Sequence, residues 1–192
     1  MTPKSAALAA VSILLVGLVA AACGSTDHHA HARSLYNAYR VAEDSRTDAE
    51  EKLRLAFRDI SEAAQAQDRD GVQSAAQRGQ DAVDEVDALI AAELEAAEGL
   101  ADIEGLSTHA QQLSEGLQLS RSSLELIARE LDIALDDPFL ETRKKEVDDL
   151  AKESAELAAK GELAVRRADR ALAIALGLEP RPDQMFIPTT TG

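Results

Sequence analysis

From Ala110 to Ala134 the apolar positions Ala110, Leu113, Leu117, Leu124, Ile127, Leu131 and Ala134, with Ser120 completing the series, fall at alternating steps of three and four. A repeat of about 3.5 residues keeps one stripe on one side of an α-helix, whereas in a strand the same residues point to both faces. A helix with such a seam needs a partner to cover it. This constraint directs the reading of the whole chain, because three more segments carry a comparable stripe.

The first runs from about Ala32 to Asp68, through Leu35, Tyr39, Ala42, Ala49, Leu53, Phe57, Ile60 and Ala64. The polar run EDSRTD, Glu43 to Asp48, interrupts it. Thr47 and Glu50 have capping-box spacing, so the sequence allows either one continuous helix or a restart there. QDRDG then supplies a turn, with Asp70 as the expected N-cap and Gly71 as a breaker. The second segment, about 71–100, uses Val72, Ala76, Gly79, Val83, Val86, Ile90, Ala97 and Leu100. Glu93 interrupts this stripe, and a local shift to Leu94 would leave Glu93 at the margin. The third segment follows Thr108, which has Gln111 as a cap partner. The fourth is expected to start at Asp137 and Pro138, as N-cap and first helical residue, and to continue to Leu176. Its stripe is Leu140, Val147, Leu150, Leu157, Ala164, Ala168, Ala171 and Ala175. Gly177 is placed to end it, with Pro180 and Pro182 preventing continuation.

Short turns between long helices favour antiparallel neighbours. The expected fold is all-α, a long antiparallel up-down-up-down four-helix bundle following an N-terminal signal peptide. Helices of roughly 28–39 residues would be about 40–60 Å long. The outer two segments exceed the inner two, which leaves a ragged end or a three-helix core with one frayed arm as the alternative. The tail LEPRPDQMFIPTTTG reads as extended or disordered, and its MFI could dock on the bundle or act as a recognition peptide.

The N-terminus carries Lys4 and then an uncharged run from Ser5 to Ala22, the length of a signal-peptide core with its cleavage region. Ala20, Ala21 and Ala22 precede Cys23, the only cysteine. These residues resemble the end of a bacterial lipoprotein signal peptide. The resemblance covers residues 1–24 only, and it departs from the commonest pattern at Ala20, where Leu is usual. It implies cleavage before Cys23, a diacylglyceryl group on the thiol and an acyl chain such as palmitate on the new amine. Several acyl chains hold a protein stably where one is marginal. The resemblance also implies an extracytoplasmic protein, on the outer face of the cell membrane or on the outer membrane where two are present. Without cleavage, the same run would be an anchor helix with Cys23 at the membrane surface. The chain thus divides into a signal peptide over 1–22, a lipidated tether over 23–31, a bundle over 32–177 and a tail over 178–192.

Composition narrows the function. Without residues 1–22 the chain has 35 acidic residues and a net charge of about −16, ill suited to nucleic acid or an anionic lipid surface. Three Phe, two Tyr and no Trp argue against a deep aromatic ligand pocket. Ala and Leu dominate the apolar residues, as helices in close contact require. Residues 71–107 are the most acidic stretch, and TRKK and VRRADR in the fourth segment would partly neutralise it.

Candidate chemistry is sparse. His28, His29 and His31 beside Asp27 could ligate Zn²⁺, Cu²⁺ or Ni²⁺, though their spacing defines no closed site. His109 is expected at the surface. No Glu has a His three residues on, as a di-iron bundle would need. Phosphate loops, the Gly-x-Ser-x-Gly elbow and the His-Glu-x-x-His motif are also missing from the sequence. No catalytic residue and no cofactor are therefore expected. The reading is a membrane-anchored helical lipoprotein, a structural or protein-interaction module with an envelope protein as partner. The alternative is a binder of metal or a small ligand, through the histidines or a bundle cavity.

Overall fold

The computed structural model describes residues 25–181, with side chains from residue 28. The expected signal peptide over 1–22, Cys23 and the tail beyond Arg181 lie outside the described residues. Four helices make up the described chain: α1 (Ser25–Gln65), α2 (Arg69–Ala101), α3 (Ser107–Asp136) and α4 (Lys144–Ala175). They run up, down, up, down, and each packs along the next in sequence. The expected four-helix bundle is the observed fold. No helix among the described residues is long and apolar enough to cross a membrane.

α1 is one unbroken helix of 41 residues, so the polar run at 43–48 does not restart it. Several of its polar groups bond one turn away within the helix. Ser45 and Thr47 donate to the carbonyls of Val41 and Glu43, one turn back, and Arg46 pairs with Glu50 at 2.5 Å. The helix also starts earlier than its stripe, so residues 25–31 are helical where a tether was expected. Asp68, not Asp70, caps α2 by accepting the Gly71 N–H at 3.0 Å, and Gly71 lies inside the helix. α3 begins after Leu106 without a side-chain cap.

The start of α4 also differs from expectation. The Asp137 carboxylate accepts the N–H groups of Glu141 and Thr142, at 3.0 and 2.9 Å, and so holds a turn. Leu140 sits in the left-handed region at φ 52°, which no helix continues through, and α4 starts only at Lys144.

The core follows the expected stripes on α1, α2 and α3. Leu113, Leu117, Leu131 and Leu172 are fully buried, each worth roughly 1.5–3 kcal/mol. In the second half of α4 the buried face is displaced, running through Val165, Ala168, Asp169, Leu172 and Ala173. Ala175, expected in the stripe, is exposed. α3 and α4 approach most closely at two glycines. A Cβ at Gly161 would lie 2.9 Å from the Gly116 carbonyl oxygen, and one at Gly116 would lie 2.8 Å from the Val165 nitrogen.

Candidate functional site

The bundle is not closed equally on all sides. α1 packs along α2, α2 along α3 and α3 along α4, but α1 and α4 approach each other with hardly any backbone contact. Side chains join them at one end. Tyr36 donates to Asp169 at 2.5 Å, Arg40 pairs with the other Asp169 oxygen at 2.5 Å, and Arg33 donates to the Leu176 carbonyl at 3.0 Å. Beyond this clasp the seam opens into two consecutive hollows.

The upper hollow, about 490 Å³, is reached by all four helices, with Leu53, Ile90, Leu124 and Ile127 among its lining and Arg46, Glu50 and Glu162 at its walls. The lower one, about 860 Å³, lies between the end of α1 and the α3–α4 connection and is mainly apolar: Phe57, Ile60, Ala134, Phe139, Leu140 and Val147. Glu130 adjoins it, almost buried and bonded to Ser154 at 3.3 Å, and burial raises its pKa. Phe57, Ile60 and Ile127 pack on the core with one side still accessible.

Between the clasp and the upper hollow lies a buried charge cluster. Glu93 and Asp169 are completely buried. Arg46 reaches Glu93 at 2.6 Å. Glu43 Oε2 lies 3.2 Å from Arg181 and 3.7 Å from Arg40. The Tyr39 hydroxyl and the second Glu93 oxygen are buried without a hydrogen bond among the described residues. Burial raises the pKa of both tyrosines and of Glu93. Burial disfavours the Arg46 charge too, but Glu93 and Glu50 outweigh it.

Burial, reinforced by the Asp169 charge, pushes the Glu43 carboxyl up to about 7. Its pKa is higher folded than unfolded, so the folded chain holds the extra proton in between. The free energy of unfolding then falls as pH rises from about 4.5 towards 7, by at most about 3 kcal/mol from this group. Glu43→Gln is expected to flatten that part of the profile and to raise the urea midpoint at pH 8. Equal slopes in wild type and variant between pH 5 and 8 would count against the assignment.

The sequence-predicted candidates are not brought together. His28, His29 and His31 are exposed on the first turns of α1. His28 and His31 share a face there, whereas His29 is turned about 100° from His28. Among the described residues, no group of three or more His, Cys, Asp or Glu could hold a metal ion. His109 is half-buried, not a surface residue, and its Nδ1 has no hydrogen bond. Glu93 lies in the core and not at the margin, while Leu94 is only partly covered. Sequence reasoning missed Asp169 altogether, because the charged run VRRADR conceals the stripe that contains it.

Comparison with known proteins finds no match. No family model, curated protein or solved structure matched this chain. The functional reading rests on the seam and on the residues that line it.

Proposed function

We propose that this is a lipid-anchored, extracytoplasmic protein-interaction module that receives an apolar segment of an envelope protein in the lower hollow. The carrying observation is the open seam between the first and last helices, whose floor is apolar. The large exposed apolar residues elsewhere, Val41, Leu163 and Ile174, are scattered singly and form no strip of their own. The converging polar groups are largely engaged with one another, which supports a structural role for them in place of catalysis.

The anchor argues for a protein partner. Acylation of Cys23 would hold the N-terminal end of α1 at the membrane. Ile60 lies 35 residues beyond Ser25, about 52 Å along the helix. The strongly acidic body resists lying flat on an anionic membrane. A hollow so far from the bilayer is better suited to another protein than to lipid.

Two measurements test this. Cys23→Ser is expected to release the protein from the membrane fraction or leave its precursor uncleaved; unchanged anchoring and processing would end the lipoprotein assignment. A photo-crosslinking side chain at Phe139 in native membranes should capture one envelope protein. That adduct should be lost in the Ile60→Asp background and absent when the probe replaces Glu98 on the outer face of α2. Adducts to lipid alone, or the same adducts from both positions, would overturn the proposal.

A further inference from the structure

Three acidic side chains are buried among the described residues: Glu93, Glu130 and Asp169. Two of them have a basic partner within the bundle. Arg46 reaches Glu93 at 2.6 Å, and Arg40 reaches Asp169 at 2.5 Å. Glu130, on α3, has no such partner among the described residues. One of its oxygens accepts the Ser154 hydroxyl at 3.3 Å, and the other accepts no hydrogen bond from them. Even the Ser154 proton is shared, since that hydroxyl lies 3.0 Å from the Ala151 carbonyl. Burial raises the Glu130 pKa, opposed by the Ser154 hydrogen bond alone.

Glu130 also differs in where it lies. It lines the lower hollow, beside the apolar group Phe57, Ile60, Ala134 and Val147. Among the described residues, the only other ionisable one in that lining is Glu141, which is exposed. The hollow therefore presents carboxyl groups and no base. Arg69 lies over the Phe139 ring, 5.9 Å from its centroid, and makes no ion pair with Glu130. Residues 182–192 contain no Lys or Arg. Folding has already taken Glu130 out of water. An incoming ammonium or guanidinium thus meets a desolvated acceptor, and only its own desolvation opposes the attraction. The net charge of −15 draws basic partners towards the chain.

We propose that the segment received by the lower hollow carries a lysine or arginine among its apolar residues, whose cation pairs with the Glu130 carboxylate. This inference rests on the docking role proposed above and names the chemistry of the partner. The apolar side chains of the segment cover Phe57, Ile60 and Val147. Glu130 acquires in the complex the kind of partner that Glu93 and Asp169 have within the chain.

The test uses the full chain in native membranes, with the photo-crosslinking side chain at Phe139. Glu130→Gln keeps the shape of the side chain and removes its charge. It should cut the yield of the protein adduct by about tenfold or more, the loss expected of one hydrogen bond to a charged group. The same substitution should raise the urea midpoint of the free protein at pH 8, because it removes a buried, unpaired charge. Binding and stability then move in opposite directions, which a merely structural residue does not produce. The captured peptide, sequenced by mass spectrometry, should contain a Lys or Arg among apolar residues. Replacing that residue by Met in the partner should lower the yield as much as Glu130→Gln does, and the two changes together should cost no more than either.

A yield unchanged by Glu130→Gln would overturn the pairing and leave the docking intact. It is the result expected of a protonated Glu130 that donates to the partner, since Gln donates as well. A captured segment without Lys or Arg, additive losses in the double variant, or an adduct with a second copy of this chain would also refute it. A lowered urea midpoint would show that the fold itself holds the Glu130 charge, and would count against a partner in the same way. If the Phe139 probe captures no protein at all, the docking itself fails and this inference fails with it.

Discussion

Asp169→Ala is expected to lower the stability of the bundle by about 3–5 kcal/mol, the usual cost of removing one partner from a buried ion pair. Asp169 is fully buried, accepts the Tyr36 hydroxyl at 2.5 Å and pairs with Arg40 at 2.5 Å. Without it, a largely covered guanidinium and a buried hydroxyl lose their acceptor together, and α1 and α4 lose their main side-chain connection. Asp169→Asn retains an acceptor for Tyr36 and should cost less. The combination Tyr36→Phe, Arg40→Met and Asp169→Leu removes the Tyr36–Asp169–Arg40 group of the clasp at once and should recover much of the loss, since apolar substitutes need no partner. Urea unfolding of the three variants checks this ordering. A loss below about 1 kcal/mol for Asp169→Ala, typical of exposed pairs, would show that the clasp does not hold the seam.

The second large effect belongs to the face of α4 that meets α3. Gly161→Val is expected to destabilise the protein by about 3 kcal/mol or more, at the upper end of overpacking costs. A Cβ at position 161 would meet the Ser120 Oγ at 2.7 Å, the Gly116 oxygen at 2.9 Å and the Ser120 nitrogen at 3.0 Å. Two of these atoms are backbone and cannot rotate aside, so the helices must separate. Gly161→Ala discriminates best, because two effects compete. Helix propensity alone would make it stabilising by about 1 kcal/mol. The close approach should reverse that sign, and Gly116→Ala, facing the Val165 backbone at 2.8 Å, should behave alike. A rise in thermal midpoint for both alanine variants would show that α3 and α4 are farther apart than described.

Much of the fold is legible from individual helices. Val72, Ala76, Val83, Val86, Ile90, Ala97 and Leu100 are buried as their spacing predicts, and Gly177 ends α4 in the expected left-handed conformation. The polar positions were harder to read. Glu93 looked marginal because an apolar neighbour stood beside it; only the antiparallel register of α1 on α2 brings Arg46 level with it. That register is repeated by Lys52 with Glu85 and by Asp59 with Arg78. A signal did exist: EDSRTD interrupts one stripe and Glu93 the next at matching distances from the turn. Asp169 gave a weaker signal, since its stripe partners Val165 and Leu172 are separated by charged residues.

Periodicity is a local property, because one helix turns its side chains by the same angle whatever surrounds it. The chain's pattern therefore specified four amphipathic helices, their order and their antiparallel course. How far apart two helices stand is not local. It depends on side chains distant in sequence, on whether Gly116 and Gly161 meet and on whether Asp169 reaches Tyr36 and Arg40. Tertiary packing alone drew α4 against α3 at its glycines, left its distance from α1 to be spanned by a clasp at one end, and thereby opened the seam. The two hollows follow from that unequal closure, and the buried Glu93 from the register of α1 on α2; no single helix encodes either.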